Sequence, residues 1–150
     1  MARKVAGFSM IEILVAIAIL GVLLAIAVPS YTHWQMERQL TSETRKVLGF
    51  VQEARTRAFT TKQSFELQKN GNRICDGNGT CVRTEHPFQL SASTLEISSR
   101  GVYQNGNIYI QDTSKIDDHD PKYSCVVLDR VRARLGEYDD STTPPECDPK

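Results

Sequence analysis

The sequence predicts an α+β fold: a long N-terminal helix, transmembrane in its first part and amphipathic in its second, packed on a C-terminal antiparallel β-sheet. Three observations predict it. The apolar residues crowd into one early run, a helical period continues from there to about residue 60, and short alternating runs separated by turn signals follow. The 150 residues suffice for one domain plus an attached element. Lys and Arg number 18 and Asp and Glu 18, which excludes a generally basic nucleic-acid coat and a highly charged disordered tail. A negative mean hydropathy excludes a polytopic membrane protein.

The apolar run comes first. Ile13 to Val28 contains no charged or strongly polar residue, and extending it back to Phe8 adds a single charge, Glu12. A bilayer core takes about 20 apolar residues as a helix. Arg3 and Lys4 precede the run, and the next basic side chain after it, histidine aside, is Arg38. That asymmetry places the N-terminus in the cytoplasm and everything after about residue 30 beyond the membrane. A cleavable secretory signal is the alternative, with Arg3 and Lys4 as its basic region and Ala25-Ile26-Ala27 as its cleavage site. Against it, the run exceeds the usual apolar region of about 7–15 residues. Glu12 also carries an insertion cost of roughly 2.5–3.5 kcal/mol that a disposable signal has no reason to bear.

Residues 30–60 continue as helix. Leu40, Val47, Leu48, Val51, Ala54 and Ala58 recur at three- and four-residue steps and form one apolar face. Glu37, Arg38, Glu43, Arg45, Lys46, Glu53, Arg55 and Arg57 fill most of the other, with Glu53 and Arg57 as a favourable i,i+4 pair. A helix from about Phe8 to about Thr60 would be roughly 80 Å long, too long for a 150-residue core, so its first half must be buried by lipid or partners. Pro29 should loosen or kink it midway.

Beyond Thr61 the period changes to two. Ser64–Gln68, Thr94–Ser98, Asn107–Gln111 and Cys125–Leu128 alternate, with Asn70-Gly71, Asn78-Gly79 and Asn105-Gly106 as turn signals between them. This predicts about five to seven antiparallel strands on the apolar face of residues 40–60, with residues 141–145 as a loop.

Gly7-Phe8-Ser9-Met10-Ile11-Glu12, behind a basic leader and ahead of an apolar helix, resembles the class III signal of type IV prepilins. The resemblance implies a pilin-like fold and a division into leader 1–7, transmembrane and assembly helix 8–29, amphipathic helix 30–60 and β domain 61–150. It implies that prepilin peptidase cuts between Gly7 and Phe8 and methylates Phe8, that Glu12 is the assembly residue, and that Pro29 ends the apolar half of the helix. The physics agrees. Cleavage removes Arg3 and Lys4, leaving 16 of the 18 basic side chains against 18 acidic ones. The new amine on Phe8 lies four residues from Glu12, so a neighbouring subunit's amine can meet that carboxylate when helices bundle, and a buried charge needs such a partner.

Two further segments are similar to GspH/FimT-type (FimU-like) minor pilins and pseudopilins. Ala54-Arg55-Thr56-Arg57-Ala58 is similar to their helix-end signature. Cys125–Arg132 resembles their closing strand and Gly-Arg-x-Arg turn, with Asp129 where the family has glycine. The resemblance implies a minor type IV pilin, placed in the tip complex that starts assembly. Its partners would be other minor and major pilins, prepilin peptidase, the inner-membrane assembly platform and, before assembly, lipid. The alternatives are a type II secretion pseudopilin and a DNA-binding pilin for natural transformation. The implied location is the bacterial inner membrane with the N-terminus cytoplasmic, then the pilus or pseudopilus, with the β domain periplasmic or extracellular.

All four cysteines follow residue 70, on the oxidising side. Of three possible pairings, chain entropy favours Cys75–Cys81, leaving Cys125–Cys147 to tie down the C-terminal segment. Zinc is the rival reading, but no Cys-x-x-Cys spacing exists and the histidines are scattered. Arg130, Arg132 and Arg134 alternate, so in a strand they share one face, either solvated or a phosphate-binding ridge for DNA; Glu137, Asp139 and Asp140 oppose the latter. Asp117-Asp118-His119-Asp120 reads as a solvated acidic loop, with calcium as the alternative. Asp76-Gly77-Asn78-Gly79 resembles part of a calcium loop without its terminal glutamate. Trp34 reads as an interfacial or helix-packing aromatic, and His33 and His86 have no evident nucleophile partner. Neither an enzyme, a metal nor a cofactor is expected.

Overall fold

A computed structural model describes residues 9–139 and 146–150. The chain divides into two units, Met1–Gln35 and Met36–Lys150, and one helix, α1 (Met10–Thr61), contributes to both.

In the first unit α1 is the only described element. Its large apolar side chains from Met10 to Val28 are each between 50 and 86 % exposed. Helix formation satisfies the backbone polar groups internally, and the side chains of this stretch find no cover within the unit. The helix runs on through Pro29, where a loosening was expected, and Thr32 Oγ1 donates to the Pro29 carbonyl at 2.9 Å. The proline removes one donor without ending the element. Tyr31 and Trp34 follow the apolar run as a ring pair 6.0 Å apart, and Tyr31 Oη accepts from Gln35 Nε2. Aromatics with one apolar and one polar end suit the membrane–water boundary.

The second unit has its own core. Leu40, Val47, Phe50, Val51, Ala54 and Ala58 of α1 are buried there. Leu48, expected on this face, is only partly buried, and Phe50 takes a core position in its place. The strands are β1 (Phe65–Asn70), β2 (Arg73–Cys75), β3 (Cys81–Arg83), β4 (Phe88–Leu90), β5 (Thr94–Ile97), β6 (Gly106–Ile110), β7 (Cys125–Leu128), β8 (Ala133–Asp139) and β9 (Glu146–Pro149), with a short helix α2 (Ser114–His119) after β6. They form two antiparallel sheets, ordered β3-β2-β1-β5 and β4-β6-β7-β8-β9, where one sheet was expected. The extra strands are mostly three residues long and too short to show alternation. Phe65, Leu67, Leu95, Ile97, Ile108 and Ile110 are buried on strands that alternate, whereas β7, expected to alternate, is buried at all four positions.

Two charged groups fasten α1 to the sheets. Glu43, expected on the solvent face, is 2 % exposed. Its Oε1 accepts from the Glu85 amide at 3.0 Å, and its Oε2 accepts from the His86 amide at 3.1 Å and faces His86 Nδ1 at 3.2 Å. Three partners satisfy a carboxylate that would otherwise be costly to bury. Asp76 is also buried; its Oδ1 accepts from the Asn78 and Thr80 amides, and its Oδ2 lies 2.8 Å from Arg57 Nη2. The Asp76 segment thus turns on itself around a carboxylate that binds α1.

Cys75 is bonded to Cys81, directly opposite it in the β2–β3 register. Cys125 is bonded to Cys147. The second bridge joins β7 to β9 across the intervening β8, where Gly136 is the register partner of Cys125. A Cβ on Gly136 would lie 2.6 Å from the Asp148 carbonyl oxygen and 3.2 Å from Cys125 Sγ. Glycine is required there by space. Asn105-Gly106 is likewise no turn signal: Gly106 opens β6 at ordinary φ, and a Cβ would strike Leu95.

Gly136→Ala is expected to lower stability by about 2 kcal/mol or more, the cost of overpacking against backbone. Gly49→Ala, in an exposed helical position with nothing within 4 Å, should raise it by up to about 1 kcal/mol. Denaturant unfolding of the two variants checks both signs.

Candidate functional site

Two surfaces are chemically distinctive. The first is the apolar part of α1. Glu12 is its one charged residue, sits in the first helical turn and is exposed. Its amide donates to the Ser9 carbonyl at 3.1 Å, so the helix starts just ahead of it. A carboxylate in a first turn faces the positive end of the helix dipole. Gly7 and Phe8, the expected processing pair, lie outside the described residues, as does the expected loop at 141–145. One 18-residue stretch of α1 is apolar enough to cross a membrane.

The description "Prokaryotic N-terminal methylation motif" fits residues 2–28. This is a type IV prepilin-like N-terminus. The motif covers the basic residues, Gly7, Phe8, Glu12 and the apolar run together, and its bearers are pilin-like proteins processed by prepilin peptidase. The motif and the apolar helix fit a pilin-like protein anchored in the inner membrane. No solved structure matches the chain.

The second surface belongs to the β unit. Of the expected arginine ridge, only Arg134 lies on a strand. Arg130 and Arg132 sit in the β7–β8 turn, closed by the Asp129 amide donating to the Arg132 carbonyl at 2.9 Å. The three therefore do not share a strand face. The strand pattern fails because β7 ends at Leu128 and pairing resumes only at Ala133. Asp129 fits this turn with an ordinary negative φ and takes Arg134 as an ion-pair partner at 2.5 Å, so glycine is not needed at that position.

The same turn borders an open groove of about 510 Å³ lined by Arg55, Phe59, Arg100, Gly101, Tyr103 and Arg132 among others. Helix α1 positions Arg55, whose Nη1 donates to the Val131 carbonyl at 2.7 Å and whose guanidinium lies 5.3 Å from the Tyr103 ring centre. Gly101, at φ +72°, lets the 98–101 turn approach; a Cβ there would touch Arg55 and Phe59. Tyr103 is 2 % exposed. Burial pushes its phenol above the ordinary value, outweighing the nearby Arg55, which acts the other way. This groove had no sequence signal, because its arginines come from three separated segments.

The other candidates resolve as structure. Asp117, Asp118 and His119 are on α2, so the acidic loop is a helix, and Asp120 ends it in the left-handed conformation with its amide donating to Ile116. No group of three metal-ligating side chains gathers among the described residues. His86 is held by Glu43.

Because the folded state raises the Tyr103 pKa, the neutral phenol's contribution is complete below the unfolded value near 10 and is lost as pH rises through the folded value. The unfolding midpoint should therefore fall as pH rises above about 10, and fall less in Tyr103→Phe. Equal falls would show that Tyr103 does not titrate unfavourably.

Proposed function

We propose that the chain is a minor type IV pilin, cut between Gly7 and Phe8, methylated on Phe8 and incorporated into the pilus within the complex that initiates it. The observation that carries this reading is the uncovered apolar stretch Met10–Val28 with Glu12 as its one charge. A helix of this kind is stable in lipid and equally stable among like helices, so transfer from membrane to filament exchanges one apolar surrounding for another. Glu12 is the exception. In lipid it is penalised, and in a bundle it meets the Phe8 amine of a neighbour, which offsets its desolvation and fixes the register. The likeness of residues 54–58 to the minor-pilin helix end supports the subtype. There Arg55 and Arg57 anchor the β unit at two points, the Val131 carbonyl and Asp76.

Glu12→Ala is the test. The precursor should remain membrane-inserted and processed, since the apolar run is unchanged, while its abundance in sheared pili falls at least tenfold by immunoblot. Normal abundance would remove the register role. Piliation of cells lacking the gene then separates the subtypes. Bald cells support an initiating pilin, whereas normal pili with lost secretion assign the chain to a pseudopilus.

A further inference from the structure

The groove beside the β7–β8 turn carries charge that the chain does not balance. Arg55, Arg100 and Arg132 line it, and among the described residues none of the three makes an ion pair. Tyr103, buried in its wall, has a hydroxyl with no hydrogen-bond acceptor. Arg55 beside it carries only donors and cannot accept that proton. A buried donor without an acceptor costs about 1–3 kcal/mol, and an incoming oxygen anion would satisfy it and three guanidinium groups together. The rim is mixed: Phe59, 56 % exposed, stands beside Gln52, Thr56 and the arginines. A mixed rim of this kind suits a protein surface better than a continuous polyanion.

The same unit presents the complement. Asp117, Asp120, Glu137, Asp139 and Asp148 line a second groove, with Lys150 paired to Glu137. Strand β8 connects the two: Ala133 at its start borders the basic groove and Asp139 at its end borders the acidic one. Seven residues of strand place them about 20 Å apart. Thr44 of α1 donates to the Tyr123 carbonyl and Arg55 to that of Val131. The acidic end thus lies toward the earlier part of this stretch of α1 and the basic end toward the later part.

We propose that the arginine–tyrosine groove binds the acidic face of a second copy of this chain, carboxylate to guanidinium and phenol, in a head-to-tail contact. Opposite patches at two ends of one β unit make a heterologous interface, which propagates as an open filament when its rotation does not close. The contact is distinct from the Glu12 pairing and does not depend on it.

The test uses the full chain in non-ionic detergent, with sedimentation as the readout. Wild type should associate at low salt and dissociate as salt screens the contact. Arg100→Glu with Arg132→Glu makes both surfaces acidic, and Asp117→Lys with Asp120→Lys and Asp148→Lys makes both basic. All five positions are exposed. Each substituted chain alone should lose at least tenfold in association constant, and an equimolar mixture should recover it, because every contact is then again between opposite charges. Recovery requires both chains to be folded, and their circular dichroism checks this separately. Association unaffected by either pair, or a mixture no better than its parts, overturns the proposal. So does capture of duplex DNA by the Arg100/Arg132 groove without salt-sensitive self-association.

Discussion

The organising constraint is apolar surface that the chain cannot cover. From Met10 to Val28 every large side chain of α1 is at least half exposed. At about 1.5–3 kcal/mol for each such side chain removed from water, this stretch cannot remain in solvent. Its surroundings are therefore part of the structure, and an apolar helix of this length fits a membrane. Within that run Glu12 is the single carboxylate; under the proposed assembly a neighbour's amine gives it the opposite charge that lipid does not offer.

The β unit has a core of its own, to which the exposed part of α1 contributes no side chain. Its core is closed by Leu40, Val47, Phe50, Val51, Ala54 and Ala58 against both sheets. Polar fastenings fix the register of α1 against the strands: Glu43 on the Glu85 and His86 amides, Arg57 on Asp76, Arg55 on Val131. The two disulfides staple the parts with least core, the β2–β3 hairpin and the terminal β9. Cross-links at chain ends and loops restrict the unfolded ensemble where burial contributes little.

The α+β class was legible because each half announces itself by period. The apolar run and the three- and four-residue steps to Ala58 specify one continuous helix, and Phe65-Glu66-Leu67 or Ile108-Tyr109-Ile110 specify half-buried strands. What was hidden had physical reasons. Strands of three residues, such as β2 and β4, are shorter than two full alternations. Glu43 is charged, and charge reads as exposure, yet here backbone amides solvate it. Arg130, Arg132 and Arg134 alternate as a strand would, but the chain turns between Leu128 and Ala133. The N-terminal motif, by contrast, is local and contiguous, so no fold is needed to see it. The groove of Arg55, Arg100, Tyr103 and Arg132 is assembled only by folding.

The claim that the apolar helix is a permanent part of the mature subunit is the one on which the account stands. Intact mass spectrometry of the protein recovered from membranes or filaments tests it most directly. The account predicts a chain beginning at Phe8, heavier by one methyl group and lacking only residues 1–7. A chain beginning after Ala27 would contradict it, because the uncovered surface would then be discarded and the β unit would be an ordinary secreted domain.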